Sequence, residues 1–265
     1  MIDSNIFLYE GLLIAFGIIV PVGLAIWWVV TRKEKITTVL AGAATWFVFA
    51  VLLEAIPKYF FFNPDTALGQ TVLGNVVLFS AIGALLAGIF EETGRLVVFK
   101  TLLRNRTNRE TAISHGIGHG GFEAMFLLVS ASVSYLTYAV MINNGTFDTM
   151  VSQLEAQGTD VSSLVTLPEQ MASITLGYCL LTMVERIFAM LLHVGLSIVV
   201  FNSVRRSKIS LFFLAVLLHA LFDVPAALYQ AGVLNLYVTE AILVVYSVVF
   251  FVIVYKLFFK HNPVV

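Results

Sequence analysis

The chain has 265 residues, of which 59% are hydrophobic and only 12% are charged. A soluble domain averages about 25% charged residues, so this composition indicates a polytopic membrane protein. The net charge of −1 gives no reason to expect nucleic acid as a partner. The chain has one cysteine, which excludes a disulfide bond within it.

Seven long apolar runs predict seven transmembrane helices, because about 20 apolar residues cross the hydrocarbon core of a bilayer. No repeat or linker interrupts the chain. We therefore expect an all-α fold in one integral membrane domain over 1–265, with the polar motifs between about 80 and 225. The predicted spans cover roughly 7–31, 37–59, 70–103, 111–142, 169–204, 210–230 and 236–258.

The basic residues predict the orientation of the chain. Twelve of the fifteen Lys and Arg residues flank the spans on one side, whereas the long connection 143–168 on the other side has none. The positive-inside rule makes the basic side cytoplasmic, so the N-terminus is expected outside and the C-terminus inside. The expected location is the cell membrane, as a multi-pass protein of a bacterial plasma membrane.

Ionisable side chains lie inside the predicted spans at similar depths. A helix rises ~1.5 Å per residue, so the depth of a residue in the bilayer follows from its distance in sequence to the cytoplasmic end of its span. A charge at mid-membrane costs ~3 kcal/mol or more, so these groups are expected to face one another in a shared polar pocket. The residues placed roughly 15–21 Å deep by this count are Glu91, Glu123, His193, His219 and Asp223.

The spacing of the polar residues within each helix supports a shared pocket. Residues four or seven apart in a helix lie on the same face. The pairs four apart are Glu91–Arg95, His115–His119, His119–Glu123 and His219–Asp223, and Arg186 and His193 are seven apart.

Several of these groups also have a purely structural interpretation. Arg95 fits a buried ion pair as well as it fits a functional role. Arg186 is expected to pair with a carboxylate on another helix, with Glu185 pointing elsewhere. His115 is shallow and fits ordinary helix packing. The glycines of "SHGIGHGGFE" predict close helix packing, since no strand precedes them as a phosphate loop would require.

Carboxylates and imidazoles at one depth suit a hydrolytic reaction. A glutamate can take a proton from water, and histidines can donate to an oxyanion or hold a metal. Zinc could take His193, His219 and the carboxylate of Glu123 as three ligands. The HExxH and GxSxG motifs are absent from the chain.

Four motifs together resemble the YhfC family of intramembrane proteases. They are "EETGR", "GHGGFEA", "ERIFAMLLHVGLS" and "HALFD", in this order between about 80 and 225. That family is related to the PrsW proteases and to the type II CAAX-processing and bacteriocin-immunity proteases. Two residues separate the Glu pair from Arg95, and the second motif ends in Glu123. Both features are similar to the PrsW-like branch and differ from the CAAX branch.

The resemblance implies roles for six catalytic candidates. The first motif would supply the general base, Glu91, supported by Glu92. Glu123 of the second motif and His193 of the third would position the water or a metal. His219 and Asp223 of the last motif would stabilise the oxyanion. These candidates are Glu91, Glu92, Glu123, His193, His219 and Asp223, with Arg95, His119 and Arg186 in supporting roles. Zinc is the candidate cofactor, and a metal-free glutamate mechanism is slightly favoured.

The resulting prediction is an intramembrane endopeptidase that cuts a membrane-embedded or membrane-adjacent peptide bond. Its partners would be a membrane protein or peptide substrate and the lipid bilayer. Three alternatives stay open: a non-catalytic scaffold or peptide-binding subunit, a proton or ion transporter, and a bis-histidine haem protein. No inverted repeat or proline-broken helix pair is visible, which disfavours the transporter. Carboxylates close to His119 and His219 disfavour haem.

Overall fold

The computed structural model describes residues 2–260, and all regular secondary structure in that range is helical. Seven of its helices are long and apolar enough to cross a membrane, which confirms the predicted all-α polytopic fold. The orientation of the termini stays a prediction. The seven helices are α1 (Ser4–Arg32), α2 (Ile36–Phe61), α3 (Val76–Lys100), α4 (Arg109–Asn144), α5 (Leu176–Arg205), α6 (Ile209–Gln230) and α7 (Leu236–Phe258).

Two spans are shorter than predicted because a polar residue starts a new helix inside the apolar run. The side chain of Asn75 accepts from the backbone N–H groups of Val77 and Leu78, and this cap begins α3. The preceding residues form a separate short helix, Ala67–Leu73. Before α5, the hydroxyl of Thr175 accepts from the N–H of Tyr178 at 3.2 Å.

The connection between α4 and α5 contains more structure than the sequence suggested. It carries three short helices, Phe147–Ala156, Ser162–Val165 and Leu167–Ala172. Phe147 and Met171 from these helices are buried. The connection is therefore a packed part of the fold and not an open loop.

The chain divides into two compact units. Unit 1 consists of the residues up to Val20 together with Ala124–Val184, and unit 2 consists of Pro21–Glu123 together with the chain from Glu185 onward. The helices α1, α4 and α5 each contribute residues to both units. The expected single domain over 1–265 stays a prediction, and Met1 and residues 261–265 lie outside the described range.

Unit 1 has an apolar core. One cluster gathers Ile2, Ile6, Ala139, Phe147, Leu167 and Met171, and a second contains Leu13, Leu128 and Cys179. The N-terminal end of the chain is fixed by the backbone N–H of Ile2, which donates to the side chain of Asn143 at 2.6 Å.

Unit 2 packs its helices closely where glycines meet a neighbouring backbone, as the glycine-rich stretch predicted. A Cβ atom added at Gly120 would lie 2.9 Å from the Cβ of His193, and one added at Gly88 would lie 2.7 Å from the carbonyl oxygen of Val216. Only glycine fits at such distances. The close contacts bring α4 against α5 and α3 against α6, which positions the polar side chains of these four helices.

Candidate active site

Glu91 of α3 lies at the centre of a group of nitrogen donors. Its Oε2 atom is 2.8 Å from Nε2 of His119. The same oxygen is 3.9 Å from Nη2 of Arg95, from Nδ1 of His193 and from Nε2 of His219. Four helices, α3 to α6, therefore contribute to the surroundings of one carboxylate. The Glu91 side chain keeps 8% of its surface exposed.

Glu92, the neighbour of Glu91, is fully buried and holds two other site residues. Its Oε1 atom accepts from Nη1 of Arg95 in a close ion pair. The same atom accepts from Nδ1 of His219 at 2.7 Å. A buried carboxylate requires such donors, since an uncompensated charge in this environment is expensive. Glu92 thereby fixes the ring orientation of His219 and one end of Arg95.

Glu123 of α4 interacts with two residues of α5. Its Oε2 atom lies 2.5 Å from Nε2 of His193, and its Oε1 atom lies 3.5 Å from Nη1 of Arg186. The predicted pairing of Arg186 with a carboxylate on another helix is confirmed. The expectation that Glu185 points elsewhere was wrong, because both of its carboxylate oxygens bind the Arg186 guanidinium.

Asp223 lies at the edge of the group. Its Oδ2 atom is 3.6 Å from Nε2 of His219, and its side chain is 29% exposed, more than any of the histidines nearby. The structure thus brings all nine predicted site residues into one network of contacts. Their individual roles stay predictions.

His115 is packed between helices, as the sequence analysis expected, and its hydrogen-bond partners are now defined. It is fully buried, and its ring lies 4.7 Å from that of Phe99 and 6.0 Å from that of His119, measured between centroids. Its two ring nitrogens contact the hydroxyls of Thr45 and Ser197 at 3.2 and 3.3 Å. Depth along the helix could not reveal these partners.

Thr45 and Ser197 are polar neighbours of the site that the sequence analysis missed. Ser197 follows His193 by four residues, so the spacing rule used for the charged pairs would have found it. Thr45 carries no such signal, because no site candidate lies close to it in α2. An isolated hydroxyl in an apolar helix is usually bonded to its own backbone, as Thr45 is to Ala41 at 2.6 Å.

Two comparisons with known proteins identify the family. A family model described as YhfC intramembrane metalloprotease matches residues 16–244. The chain is also 31% identical over 235 residues to a protein of Bacillus subtilis (strain 168) described as "Uncharacterized membrane protein YhfC", and the match covers 89% of each chain. The chain belongs to the YhfC family. No solved structure matches it.

Membership of the YhfC family confirms the resemblance drawn from the four motifs. The matched region contains every predicted site residue, from Glu91 to Asp223. The family and the seven candidate spans together make the chain a multi-pass membrane protein. A metalloprotease requires side chains that can hold a metal ion.

The site contains one such group of His and Glu residues within the part of the chain that the structure describes. Each member offers one ligand atom, and these atoms lie within 4.8 Å of one another. Two of the three predicted ligands, Glu123 and His193, belong to it. The third, His219, is not among its members, and its role as a ligand stays a prediction. The four members are Glu91, His119, Glu123 and His193.

The donor set fits a metal ion of the YhfC metalloprotease type. Imidazole nitrogens and carboxylate oxygens are common zinc ligands. Nδ1 of His119 is buried without a hydrogen-bond partner among the described residues. Ligand atoms about 2.1 Å from a tetrahedral zinc ion lie roughly 3.4 Å apart. The contact between His193 and Glu123, at 2.5 Å, is shorter, so an ion bound by both residues would replace this direct contact.

Proposed function

We propose that this YhfC-family chain is an endopeptidase that hydrolyses a peptide bond of a membrane-embedded or membrane-adjacent substrate. The placement of Glu91 carries the proposal. One oxygen of its carboxylate is bonded to His119 and faces three more nitrogens, while the side chain is not completely buried. A carboxylate oriented in this way, among cationic and imidazole groups, suits the activation of water.

Glu91 would act as the general base. Among the described residues its polar contacts all fall on Oε2, so Oε1 is the oxygen left to accept a proton from water. The water oxygen then bonds to the carbonyl carbon while its proton passes to Glu91. The peptide C–N bond breaks when this proton is returned to the leaving nitrogen.

His219 would stabilise the negative oxygen of the tetrahedral intermediate. Its Nδ1–H donates to Glu92, which holds the ring with Nε2 directed towards Glu91 and Asp223. In its protonated form the ring carries a second N–H, at Nε2, which can donate to an oxyanion. Asp223 would orient the ring from the more exposed side.

We further propose zinc as the metal ion, held by three members of the four-residue group defined above, His119, Glu123 and His193, so that Glu91 stays free to act as the base and one position would remain for water. A bound zinc ion supplies Lewis-acid activation of water or of the scissile carbonyl. Arg95 has a supporting role, because its Nη2 atom donates to Nδ1 of His193 at 2.7 Å and holds that ring towards Glu123. Arg186 holds the opposite oxygen of Glu123.

Cleavage can be tested before a substrate is identified. Bacterial cells would produce either the wild-type chain or Glu91→Gln, and the protein N-termini in their membrane fractions would be labelled and compared by mass spectrometry. Loss of a general base typically lowers a rate about 10²- to 10⁴-fold. We therefore expect a set of new N-termini with the wild-type chain that is absent with Glu91→Gln.

The matched control is Glu10→Gln. Glu10 is also a buried glutamate within a spanning helix, and it belongs to unit 1. Cells with this variant should show the same new N-termini as the wild type. The proposal fails if, at equal protein levels, the wild type and Glu91→Gln give the same N-termini.

A further inference from the structure

A chain of hydrogen bonds connects His115 to the guanidinium of Arg95. Nε of Arg95 is 3.3 Å from the hydroxyl of Ser197, which is 3.3 Å from Nδ1 of His115. Nε2 of His115 is 3.2 Å from the hydroxyl of Thr45, which in turn is 2.6 Å from the carbonyl oxygen of Ala41. The four side chains that form these hydrogen bonds, Arg95, Ser197, His115 and Thr45, are all buried.

The chemistry of the groups fixes the direction of each bond. The hydroxyl of Thr45 donates its single proton to Ala41, so it must accept from Nε2–H of His115. In a neutral ring Nδ1 is then an acceptor, and it takes the proton of Ser197. Arg95 can only donate, so its Nε–H is directed to the free lone pairs of Ser197. Every donor in the chain therefore has one acceptor.

This arrangement leaves the Arg95 guanidinium bound on each of its sides. Nη1 donates to Glu92 and Nη2 donates to His193 at 2.7 Å, while Nε is held by Ser197. A planar guanidinium with three fixed directions cannot rotate without breaking a bond to the site. The orientation of Glu92 and His193 thus depends on groups that do not contact Glu91.

We propose that Ser197, His115 and Thr45 are positioning residues, which act on the site through Arg95. Their effect on catalysis rests on the proposed function, whereas their effect on the geometry of His193 does not. Ser197→Ala would leave both the Nε–H of Arg95 and Nδ1 of His115 without a partner in a buried place. The guanidinium would then shift towards other acceptors, and the bond to His193 would change.

The geometry can be measured without any substrate. The full chain would be labelled with ¹⁵N-histidine, purified in detergent, and its ring nitrogen resonances assigned with single histidine variants. In the wild type, His115 should carry its proton on Nε2. Ser197→Ala should shift the Nδ1 resonance of His115 directly and that of His193 through Arg95. Ser197→Thr, which keeps the hydroxyl, should restore both resonances.

Ser247→Ala is the matched control. Ser247 is fully buried in α7, and its hydroxyl has no hydrogen-bond partner among the described residues. Its replacement should shift neither resonance. The proposal would be overturned if Ser197→Ala shifted the resonance of His115 but not that of His193. The hydrogen-bond chain would then not extend to the site.

A rate measurement tests the catalytic consequence, using a peptide that spans a cleavage site found with the wild-type chain. Loss of a residue that orients a site side chain typically lowers activity about 10- to 100-fold. We expect this fall in kcat for Ser197→Ala, with KM unchanged and with recovery in Ser197→Thr. An unchanged kcat would overturn the positioning role. If no Glu91-dependent cleavage exists, the proposed function fails, and the spectra alone decide whether the hydrogen-bond chain holds.

Discussion

Unit 1 and unit 2 bury different kinds of side chain. Among the described residues, the buried polar side chains of unit 1 are Glu10 and Ser132, and its clusters are otherwise apolar. Unit 2 buries an arginine, several glutamates and four histidines, and most of those in the candidate site are bonded to one another. Shape and apolar volume therefore decide which residues unit 1 can accept. Unit 2 also has to match each buried charge with a partner, which restricts its sequence more strongly.

The largest effect is expected from Arg95→Leu in unit 2. This change leaves Glu92 buried without its guanidinium partner, and breaking a buried ion pair typically costs about 3–5 kcal/mol. The free energy of unfolding in detergent, followed by tryptophan fluorescence during denaturant titration, should fall by this amount.

Two further variants test whether the loss of stability comes from the unpaired charge of Glu92. Arg104→Leu changes an exposed arginine and should alter the free energy of unfolding by less than about 0.5 kcal/mol. The double variant Glu92→Leu/Arg95→Leu should recover part of the stability, because no unpaired charge remains at that position. Equal effects of Arg95→Leu and Arg104→Leu would contradict the importance of charge pairing in unit 2.

A smaller effect is expected from Met171→Ala in unit 1. Met171 is fully buried, and truncation of a buried methionine typically costs roughly 2–5 kcal/mol. We expect the low end of this range, because much of the packing around Met171 is only partly buried. Val165→Ala, at an exposed position of the same connection, is the control. If folded Met171→Ala lost all of its bound metal, apolar packing in unit 1 would also control the polar site of unit 2. That result would contradict the contrast drawn between the two units.

The smallest effect concerns metal affinity within unit 2. Purified variants would be loaded with zinc, dialysed against a chelator and analysed by mass spectrometry for metal content. His119→Ala removes a member of the four-residue group and should weaken zinc binding at least tenfold, which is about 1.4 kcal/mol. His219→Ala should retain zinc, because His219 is not a member of that group. The opposite pattern would support the ligand set predicted from sequence.

The sequence predicted which ionisable residues the structure brings into contact, but it did not predict several of their hydrogen-bond partners. Apolar length identified the seven helices, and the spacing of four residues placed His119 with Glu123 and His219 with Asp223 on shared faces. Both signals are local to one helix. The hydrogen bonds of Thr45 and Ser197 depend on which helices are neighbours in the fold. A neutral hydroxyl in an apolar run does not indicate which helix it faces. The error for Glu185 has a different cause: adjacent residues of a helix do not face each other, but the long side chains of Glu185 and Arg186 nevertheless meet.

The helix boundaries show a second limit of sequence patterns. The predicted spans 70–103 and 169–204 continue through Asn75 and Thr175, because hydropathy over a long window is insensitive to one polar residue. A single side chain bonded to the backbone of the next turn is nevertheless enough to start a new helix there. The boundaries were therefore decided by capping and not by hydropathy.

The charges of α3 also have a consequence for how the protein is made. This helix has the lowest hydropathy of the seven candidate spans, and the three ionisable residues in its interior, Glu91, Glu92 and Arg95, are each costly to insert into lipid. Arg95 can compensate Glu92 within the helix, but the hydrogen-bonding partner of Glu91 is His119 on α4, which is synthesised later. We therefore expect α3 to reach its stable position in the bilayer only after α4 has been synthesised, so that membrane insertion and tertiary folding are coupled for this helix.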